Sequence, residues 1–190
     1  MTFLQTSFLN IALLIFAIYL FPIFTFRFLE FFFPVRFGLY KVGQKKIEGW
    51  ILLLKIQMLF TIFPQLERSL HLIPGLFSWW LRLWGSKIGK GVIWTPQVEI
   101  TDRSLLSIGH GTLIGHRSIL CSHVVSIING KHFVYCKKIT IGDYCLIGGL
   151  SVIGPGVVIE DNVKINVASE LYPNTLIKKG TIYDRRNPSQ

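Results

Sequence analysis

Residues 139–165 read ITIGDYCLIGGLSVIGPGVVIEDNVKI, and isoleucine recurs in this stretch at every sixth position. The repeated positions are Ile141, Ile147, Ile153, Ile159 and Ile165. A period of six matches neither the 3.6-residue turn of a helix nor the simple alternation of a strand. It therefore describes a larger unit, in which each group of six residues occupies an equivalent place.

The same frame extends on both sides of this stretch. Upstream it runs from Ile88 to Leu120 with a slip of two residues at 106–107, and downstream it continues to Ile177. The position four residues after each aliphatic one is small or slim, and Gly, Pro, Asp and Asn mark the turns. We predict a coil of three short strands over residues 88–182, with both kinds of side chain pointing inward. Successive coils would stack about 4.8 Å apart.

The frame is interrupted between Leu120 and Ile141, where aliphatic and slim residues do not recur at the inward positions of the repeat. Residues 124–138 are predicted to form a loop extruded from the coil, with its turn at 129–130. Immediately before this loop, the tripeptide CSH ends in His123 at a corner of the coil. Long loops in compact folds are often functional, so this corner is a candidate site.

The segments CSH, NGKH and ITIGDYCLIGG, in this order, resemble the active-site region of the hexapeptide-repeat acyltransferases. The resemblance covers residues 88–182 and is nearest to the O-acetyltransferases of colanic acid and capsular polysaccharides. It implies a mainly β fold, the left-handed parallel β-helix. The handedness comes from the resemblance alone, because parallel crossovers are normally right-handed.

The resemblance also implies a reaction, the transfer of acetyl from acetyl-CoA to a sugar hydroxyl. His123 would be the general base, and the amide of Gly149, one coil beyond His123, would stabilise the oxyanion. The cofactor would lie in a groove between neighbouring subunits of a homotrimer. Besides Gly149, four residues are expected to line this groove or to meet the cofactor's phosphates: Ala168, Ser169, Lys178 and Lys179.

Several residues offer alternatives within this site. His132, in the predicted loop, is the second candidate for the base. Cys121 could carry an acyl group, although direct transfer is favoured. Asp102 and Asp143 are the candidates for the carboxylate that orients His123.

No metal and no disulfide are expected. His110, His116 and His123 point in different directions from one coil, so they cannot converge on a metal within one chain, although a zinc site shared between subunits stays open. Cys145 occupies an inward slim position and is interpreted as core. Three cysteines without paired spacing suit a reducing compartment.

The first 87 residues have a different composition. Phe8 to Phe26 contains only Asn10 and Thr25 as polar residues, and as a helix it would be roughly 28 Å long, enough to cross a bilayer. We predict a retained membrane anchor; the alternative is a helix buried in an oligomer. No lysine or arginine precedes Arg27, so the positive-inside rule places the rest of the chain on the cytoplasmic side of the cytoplasmic membrane.

Two further segments are expected at the membrane surface. The run from Trp50 to Phe63 is short for a span and contains Lys55 and Gln57, which favours an amphipathic helix lying in the interface. A tryptophan-rich segment follows, and its composition favours the headgroup layer. The alternative is a helix that caps the open end of the first coil, and the two interpretations are compatible. The residues concerned are His71, Trp79, Trp80, Arg82 and Trp84.

The charge of the chain agrees with a membrane partner. The net charge is +10, and residues 1–87 hold nine lysines and arginines against three acidic residues. Nothing resembles a nucleic-acid module.

The sequence thus predicts an anchor in residues 1–87, a catalytic β-helix in 88–182 and a tail in 183–190. Its function would be a sugar O-acetyltransferase, with a lipid-linked or surface-polysaccharide acceptor. An N- or O-acyltransferase using a longer chain or an acyl carrier protein, and a non-catalytic scaffold, are the alternatives.

Overall fold

The computed structural model describes residues 2–184, with side chains from residue 7 onward except those of residues 45 and 46. Most of the predicted tail, residues 185–190, lies outside the described residues. Five α-helices precede the β-helix: α1 Thr2–Ile15, α2 Phe21–Phe32, α3 Lys45–Ile62, α4 Pro64–Ser69 and α5 Leu76–Leu83. A π-helical turn, Phe16–Leu20, joins α1 to α2, and a short 3₁₀ turn, Leu70–Leu72, follows α4.

The predicted coil is present as a left-handed parallel β-helix with three faces. Sheet 1 contains β2 Lys87–Ile88, β5 Leu106–Ile108, β10 Ile139–Ile141, β13 Val158–Ile159 and β16 Leu176–Ile177. Sheet 2 contains β3 Ile93–Trp94, β6 Leu113–Ile114, β11 Leu146–Ile147, β14 Lys164–Ile165 and β17 Ile182–Tyr183. Sheet 3 contains β4 Glu99–Ile100, β7 Ile119–Leu120, β12 Val152–Ile153 and β15 Glu170–Leu171.

The six-residue period has the predicted physical cause. Ile141 pairs with Ile159, and Ile159 with Ile177, so equivalent residues stack three hexads apart. The isoleucines of the repeat are buried along the inside of the prism. Burial of one such side chain stabilises the fold by about 1.5–3 kcal/mol, and the stacked repeat multiplies this gain.

The candidate site residues are described by the corner of the prism at which they lie. Corner 1, between sheets 1 and 2, includes His110, Asp143 and Asp161. Corner 2, between sheets 2 and 3, includes His116, Gly149 and Ala168. Corner 3, where sheet 3 returns to sheet 1 of the next coil, includes Asp102, His123 and Pro155.

The segment predicted as an extruded loop is a β-hairpin at corner 3. Its strands are β8 His123–Ile128 and β9 Lys131–Cys136. Asn129 and Gly130 both have positive φ, which is the geometry of a tight hairpin turn. A strand that the sequence analysis did not predict, β1 Gly38–Lys41, pairs antiparallel with β9 and ties the N-terminal segment to the hairpin.

The N-terminal helices α1 and α2 form one long apolar rod. The helical segment Ser7–Phe32 contains an 18-residue stretch with a mean hydropathy of 2.3, and only 6% of that stretch is buried. The π turn precedes Pro22, which lacks the N–H that a regular α-helix would use. By length and composition this rod could cross a membrane, and it contains the predicted span. Crossing itself stays a prediction.

The remaining helices form a cap on the first coil. One face of α3, containing Trp50, Gln57 and Phe60, is buried. Trp80 and Trp84 are also buried, so the prediction that they lie at the headgroup layer is wrong; of the three tryptophans only Trp79 is exposed. The alternative, a capping helix, describes α5. Apolar packing against the open end of the β-helix is the physical reason.

Polar contacts join this cap to the β-helix. Arg82 donates to the carbonyls of Ile88 and Gly89, both at 2.8 Å. Arg103, on corner 3 of the first coil, forms two bonds with Glu67 of α4, at 2.7 and 2.9 Å. Arg103 is only 1% exposed, and it is enclosed where α3 turns into α4. Because a buried charge requires its partner, this pair holds the helices in one orientation on the coil.

Candidate active site

A cavity of about 480 Å³ lies between the helical cap and the first coil. Helices α3, α4 and α5 form one wall, strand β4 and the following corner form the other, and His123 lines the cavity. A more open depression of about 500 Å³ lies near His110 and Asp143 and shares no residue with this cavity. The His123 cavity is enclosed by parts of the chain that are distant in sequence.

His123 forms a short contact with a buried carboxylate. Its Nδ1 lies 2.6 Å from Oδ2 of Asp102, which occupies corner 3 one coil earlier and is 1% exposed. A carboxylate only accepts hydrogen bonds, so the Nδ1 nitrogen carries the shared hydrogen. In the neutral ring Nε2 then keeps its lone pair, and the part of the chain whose side chains are described forms no hydrogen bond to it. Because His123 lines the cavity, the ring can act there as a proton acceptor.

Two further groups hold Asp102 in place. The indole Nε1 of Trp50 donates to Oδ1 at 3.0 Å, and Thr101 Oγ1 donates to Oδ2 at 2.9 Å. The Trp50 ring also meets the His123 ring edge to face, with centroids 4.8 Å apart. Helix α3 thus takes part in positioning both members of the pair. Sequence reasoning missed this role of Trp50, because its apolar surroundings indicated only a surface helix.

The alternatives for the base and its partner are separated by the same geometry. Asp143 accepts from the backbone N–H of His110 at 2.7 Å on corner 1 and does not approach His123. Of the two candidate carboxylates, the structure brings Asp102 to His123. His132 is exposed in the hairpin, and neither aspartate bonds to it.

The cysteines are poorly suited to nucleophilic chemistry. Burial raises the pKa of the Cys121 thiol, whose Sγ lies 2.8 Å from the carbonyl of His123. Burial likewise raises the pKa of Cys136 and of Cys145. Cys145 is buried in the inner wall, as predicted. A raised pKa reduces the thiolate fraction, so Cys121 is a weak candidate for an acyl carrier.

Gly149 lies in the coil that follows His123, but at a different corner, so the prediction that it stacks one coil beyond His123 is wrong. Gly149 belongs to corner 2, where the amide of Leu150 donates to the carbonyl of His116 at 2.8 Å. The residues stacked beyond the CSH tripeptide follow Ile153, whose carbonyl accepts from Cys121 at 2.9 Å. The error arose because the hexad frame counts repeats without naming the face on which each repeat falls.

The predicted cofactor residues are distributed over different parts of the prism. Ala168 is exposed and stacks on Gly149 at corner 2, where its amide donates to the Gly149 carbonyl at 2.8 Å. Ser169 is fully buried, and its hydroxyl donates to the Asn166 carbonyl, so the prediction that it lines a groove is wrong. Its slim side chain occupies an inward position of the repeat.

Lys178 and Lys179 lie at corner 1 and do not meet Ala168. Lys178 pairs with Glu160 at 3.4 Å, and Lys179 with Asp161 at 3.8 Å. Both lysines are exposed, so these ion pairs are weak and leave the charges accessible. Within one chain, His123, Gly149 and the two lysines thus occupy three different corners.

His71 is part of the cavity wall rather than a free surface residue. It stacks on Phe77, with ring centroids 4.2 Å apart, and it lines the same cavity as His123. Among residues 2–184, no group of three or more His, Cys, Asp or Glu side chains is arranged to hold a metal ion.

Comparison with known proteins finds similarity only among solved structures. The sequence matches no protein-family model and no curated protein. A maltose O-acetyltransferase from Clostridium difficile 630 is 17% identical; the match covers 75% of this chain and 85% of that one, with a TM-score of 0.45. A hexapeptide-repeat acetyltransferase from Vibrio cholerae, complexed with acetyl coenzyme A, is 20% identical over 64% and 82% of the two chains, with a TM-score of 0.44.

A third similar structure is serine acetyltransferase isoform 3 from Entamoeba histolytica, in complex with cysteine. It is 18% identical over 65% of this chain, with a TM-score of 0.41, and the match spans about half, 47%, of that protein. Hexapeptide-repeat acetyltransferases, which the sequence resembles, are thus among the similar solved structures. At these identities and scores they assign no function to this chain.

Proposed function

We propose that this protein is an acyltransferase in which His123 removes the proton from an acceptor hydroxyl. The observation that carries this proposal is the contact of 2.6 Å between His123 and the buried Asp102 at the edge of a cavity. A hydroxyl is a poor nucleophile until a base takes its proton during attack, and imidazole titrates near working pH. Asp102 fixes the ring so that Nε2 is available for that proton.

The reaction proceeds by direct transfer. The acceptor oxygen attacks the thioester carbonyl while its proton moves to Nε2 of His123. The tetrahedral intermediate then collapses, the carbon–sulfur bond breaks, and the thiolate takes the proton back from Nε2. Asp102, held by Trp50 and Thr101, stabilises the imidazolium that exists between the two steps.

The donor in this proposal is acetyl-CoA, as the resemblance to the acyltransferases implies. An oxyanion needs a backbone donor, and Gly149 retains this role only if a neighbouring subunit supplies it to His123. Leu150 and Val167, both exposed at corner 2 beside Gly149, provide an apolar surface that suits such a contact. The proposal therefore includes a homotrimer, with Ala168 beside the donor and Lys178 and Lys179 as the weaker candidates for its phosphates.

The acceptor is a sugar hydroxyl on a lipid-linked or surface glycan. The exposed apolar rod Ser7–Phe32 supports an anchor in the cytoplasmic membrane. The basic residues that follow it favour a catalytic part facing the cytoplasm, where acetyl-CoA is available. An acceptor that is itself held at the membrane would remain close to such an enzyme.

The test compares His123→Ala with the wild type and with a matched control, His132→Ala, which alters an exposed hairpin residue. Membranes containing each protein are incubated with radiolabelled acetyl-CoA, and label in the glycan and glycolipid fractions is counted. We expect a loss of at least 100-fold for His123→Ala and near wild-type transfer for the control. Equal labelling by all three proteins, at equal folded amounts, would show that the β-helix does not use His123.

A further inference from the structure

We propose that the His123 cavity is the acceptor site and that it binds the sugar headgroup of a phosphate-linked glycolipid. The lipid chains of this acceptor would leave over the apolar outer surface of the α3–α4 bend. This inference rests on the proposed function, because it names the acceptor of the same reaction. Four features of the cavity and its rim support it.

The two walls of the cavity differ in chemistry. The wall contributed by the β-helix is polar where Gln97, Glu99 and Thr101 precede the His123 corner. The wall contributed by the helices has an apolar part that includes Leu54 and Phe77, although Glu67, Arg68 and His71 also line it. A ligand with a hydroxyl-rich part and an apolar part matches both walls, whereas a free sugar matches only one.

The apolar wall continues to the outside of the protein. Met58 lines the cavity and is also 45% exposed, so it lies at the rim. Beyond it, four large apolar residues are exposed, two at the bend where α3 and the following helical segment meet at 74° and two at the far end of that segment. These rim residues are Ile62, Phe63, Leu72 and Ile73. An exposed apolar patch of this kind marks an interaction surface.

The long apolar rod contacts α4, which lies in sequence between the two pairs of rim residues. The hydroxyl of Tyr19 donates to the carbonyl of Leu66 at 3.0 Å and lies 2.8 Å from the hydroxyl of Ser69, both on α4. The rod and the rim therefore lie on the same side of the molecule. If the rod is in a bilayer, the rim lies at or below the bilayer surface, because Tyr19 is inside the rod, and this favours lipid as the occupant of the rim.

A cation is available where such a headgroup joins its lipid. Arg68 lies on α4, lines the cavity and is exposed, and no ion pair to it is seen within residues 2–184. The neighbouring Arg103 is committed to Glu67. A guanidinium at the rim suits the phosphate between a sugar and a lipid, because it can donate two parallel hydrogen bonds to phosphate oxygens.

The experiment uses the full-length protein in liposomes with radiolabelled acetyl-CoA. One acceptor is the polar lipid extract of the native host, and the other is the water-soluble glycan released from that extract by mild acid. We expect label in the lipid fraction, and mild acid should move this label into the water phase. Transfer at equal kcat/KM to the released glycan would overturn the inference while leaving the proposed function intact.

Rim variants provide the second arm. The double variant Leu72→Asp, Ile73→Asp should lower the ratio of kcat/KM for the lipid-borne acceptor to that for the released glycan at least tenfold. Arg68→Gln should raise KM for the lipid-borne acceptor. The matched control is Ile182→Asp, an exposed apolar position at the far end of the β-helix, which should leave the ratio unchanged. Liposome flotation verifies that equal amounts of each protein are bound.

The outcomes separate the two proposals. A ratio that the rim variants leave unchanged overturns the glycolipid inference, whatever the total activity. Labelling of no acceptor by a folded wild type that binds acetyl-CoA overturns both proposals. Labelling that His123→Ala abolishes and the rim variants redirect toward the released glycan supports both.

Discussion

The contact between Trp50 and Asp102 gives the sharpest prediction about the site. Trp50→Phe removes one hydrogen bond, the indole N–H donated at 3.0 Å to a carboxylate that is 1% exposed. The phenyl ring can keep the edge contact with His123, so the change isolates the donor. A hydrogen bond to a charged group contributes about 1.5–3 kcal/mol, and more is lost when its buried partner stays unsatisfied.

This magnitude translates into two observables. In a chain of this size, a loss of about 1.5–3 kcal/mol lowers the melting temperature by about 3–12 °C. In the transition state the imidazolium needs an oriented Asp102. If the activation free energy rises by a similar amount, kcat falls by about 10- to 100-fold. KM for the acceptor should change little, because Trp50, which donates the hydrogen bond, does not line the cavity.

The assay measures transfer of radiolabelled acetyl to the lipid extract by detergent-solubilised protein. Thermal unfolding of the same preparation is followed by intrinsic fluorescence. Trp79→Phe is the matched control, since Trp79 is exposed and the same ring is removed. A variant that loses stability but retains wild-type kcat would refute the positioning role and leave Trp50 as a packing residue. A variant unchanged in both would refute the reasoning about the hydrogen bond itself.

Three further predictions concern the neighbouring residues. Asp102→Asn should lower kcat at least about 100-fold with the fold intact, because an amide can orient the imidazole as the wrong tautomer; circular dichroism and steady-state kinetics check this. Glu67→Gln should destabilise the protein by about 3–5 kcal/mol in denaturant titration, since Arg103 is left buried and unpaired, whereas the exposed Lys178→Met should change stability by less than about 1 kcal/mol. Cys121→Ser should retain kcat within about threefold, and the wild-type thiol should react slowly with iodoacetamide at neutral pH and faster as the pH rises toward its raised pKa; loss of transfer in the serine variant would indicate an acyl-cysteine intermediate.

Part of the site was readable from the sequence. The tripeptide ending in His123 stands where the frame breaks, and a break of a regular repeat is visible without coordinates. Asp102 was one of two candidate carboxylates, and the choice between it and Asp143 required the structure. Each aspartate stands two residues after the aliphatic residue of its hexad, so the repeat alone does not distinguish them. In the structure Asp102 lies at corner 3 and Asp143 at corner 1.

Two different reasons explain the errors for Gly149 and Ser169. The six-residue frame assigns each residue to a repeat. The slip at 106–107 and the hairpin change the number of residues per coil, so counting hexads does not show which corner a residue occupies or which residue stacks on it. Gly149 consequently lies beside His116 instead of His123. Ser169 follows the inward rule of the repeat itself, and the resemblance should not have overridden that rule.

The β-helix follows from the sequence alone, because a six-residue period of aliphatic side chains can be buried only by stacking equivalent strands. It also marked the apolar rod, whose composition is independent of the rest of the fold. The site, in contrast, depends on tertiary packing, since Trp50, Asp102 and His123 belong to a helix and to two different coils and meet only in the folded chain. Periodicity is a local property of the chain, whereas the enclosure of a carboxylate by distant groups depends on how the helical cap docks on the first coil.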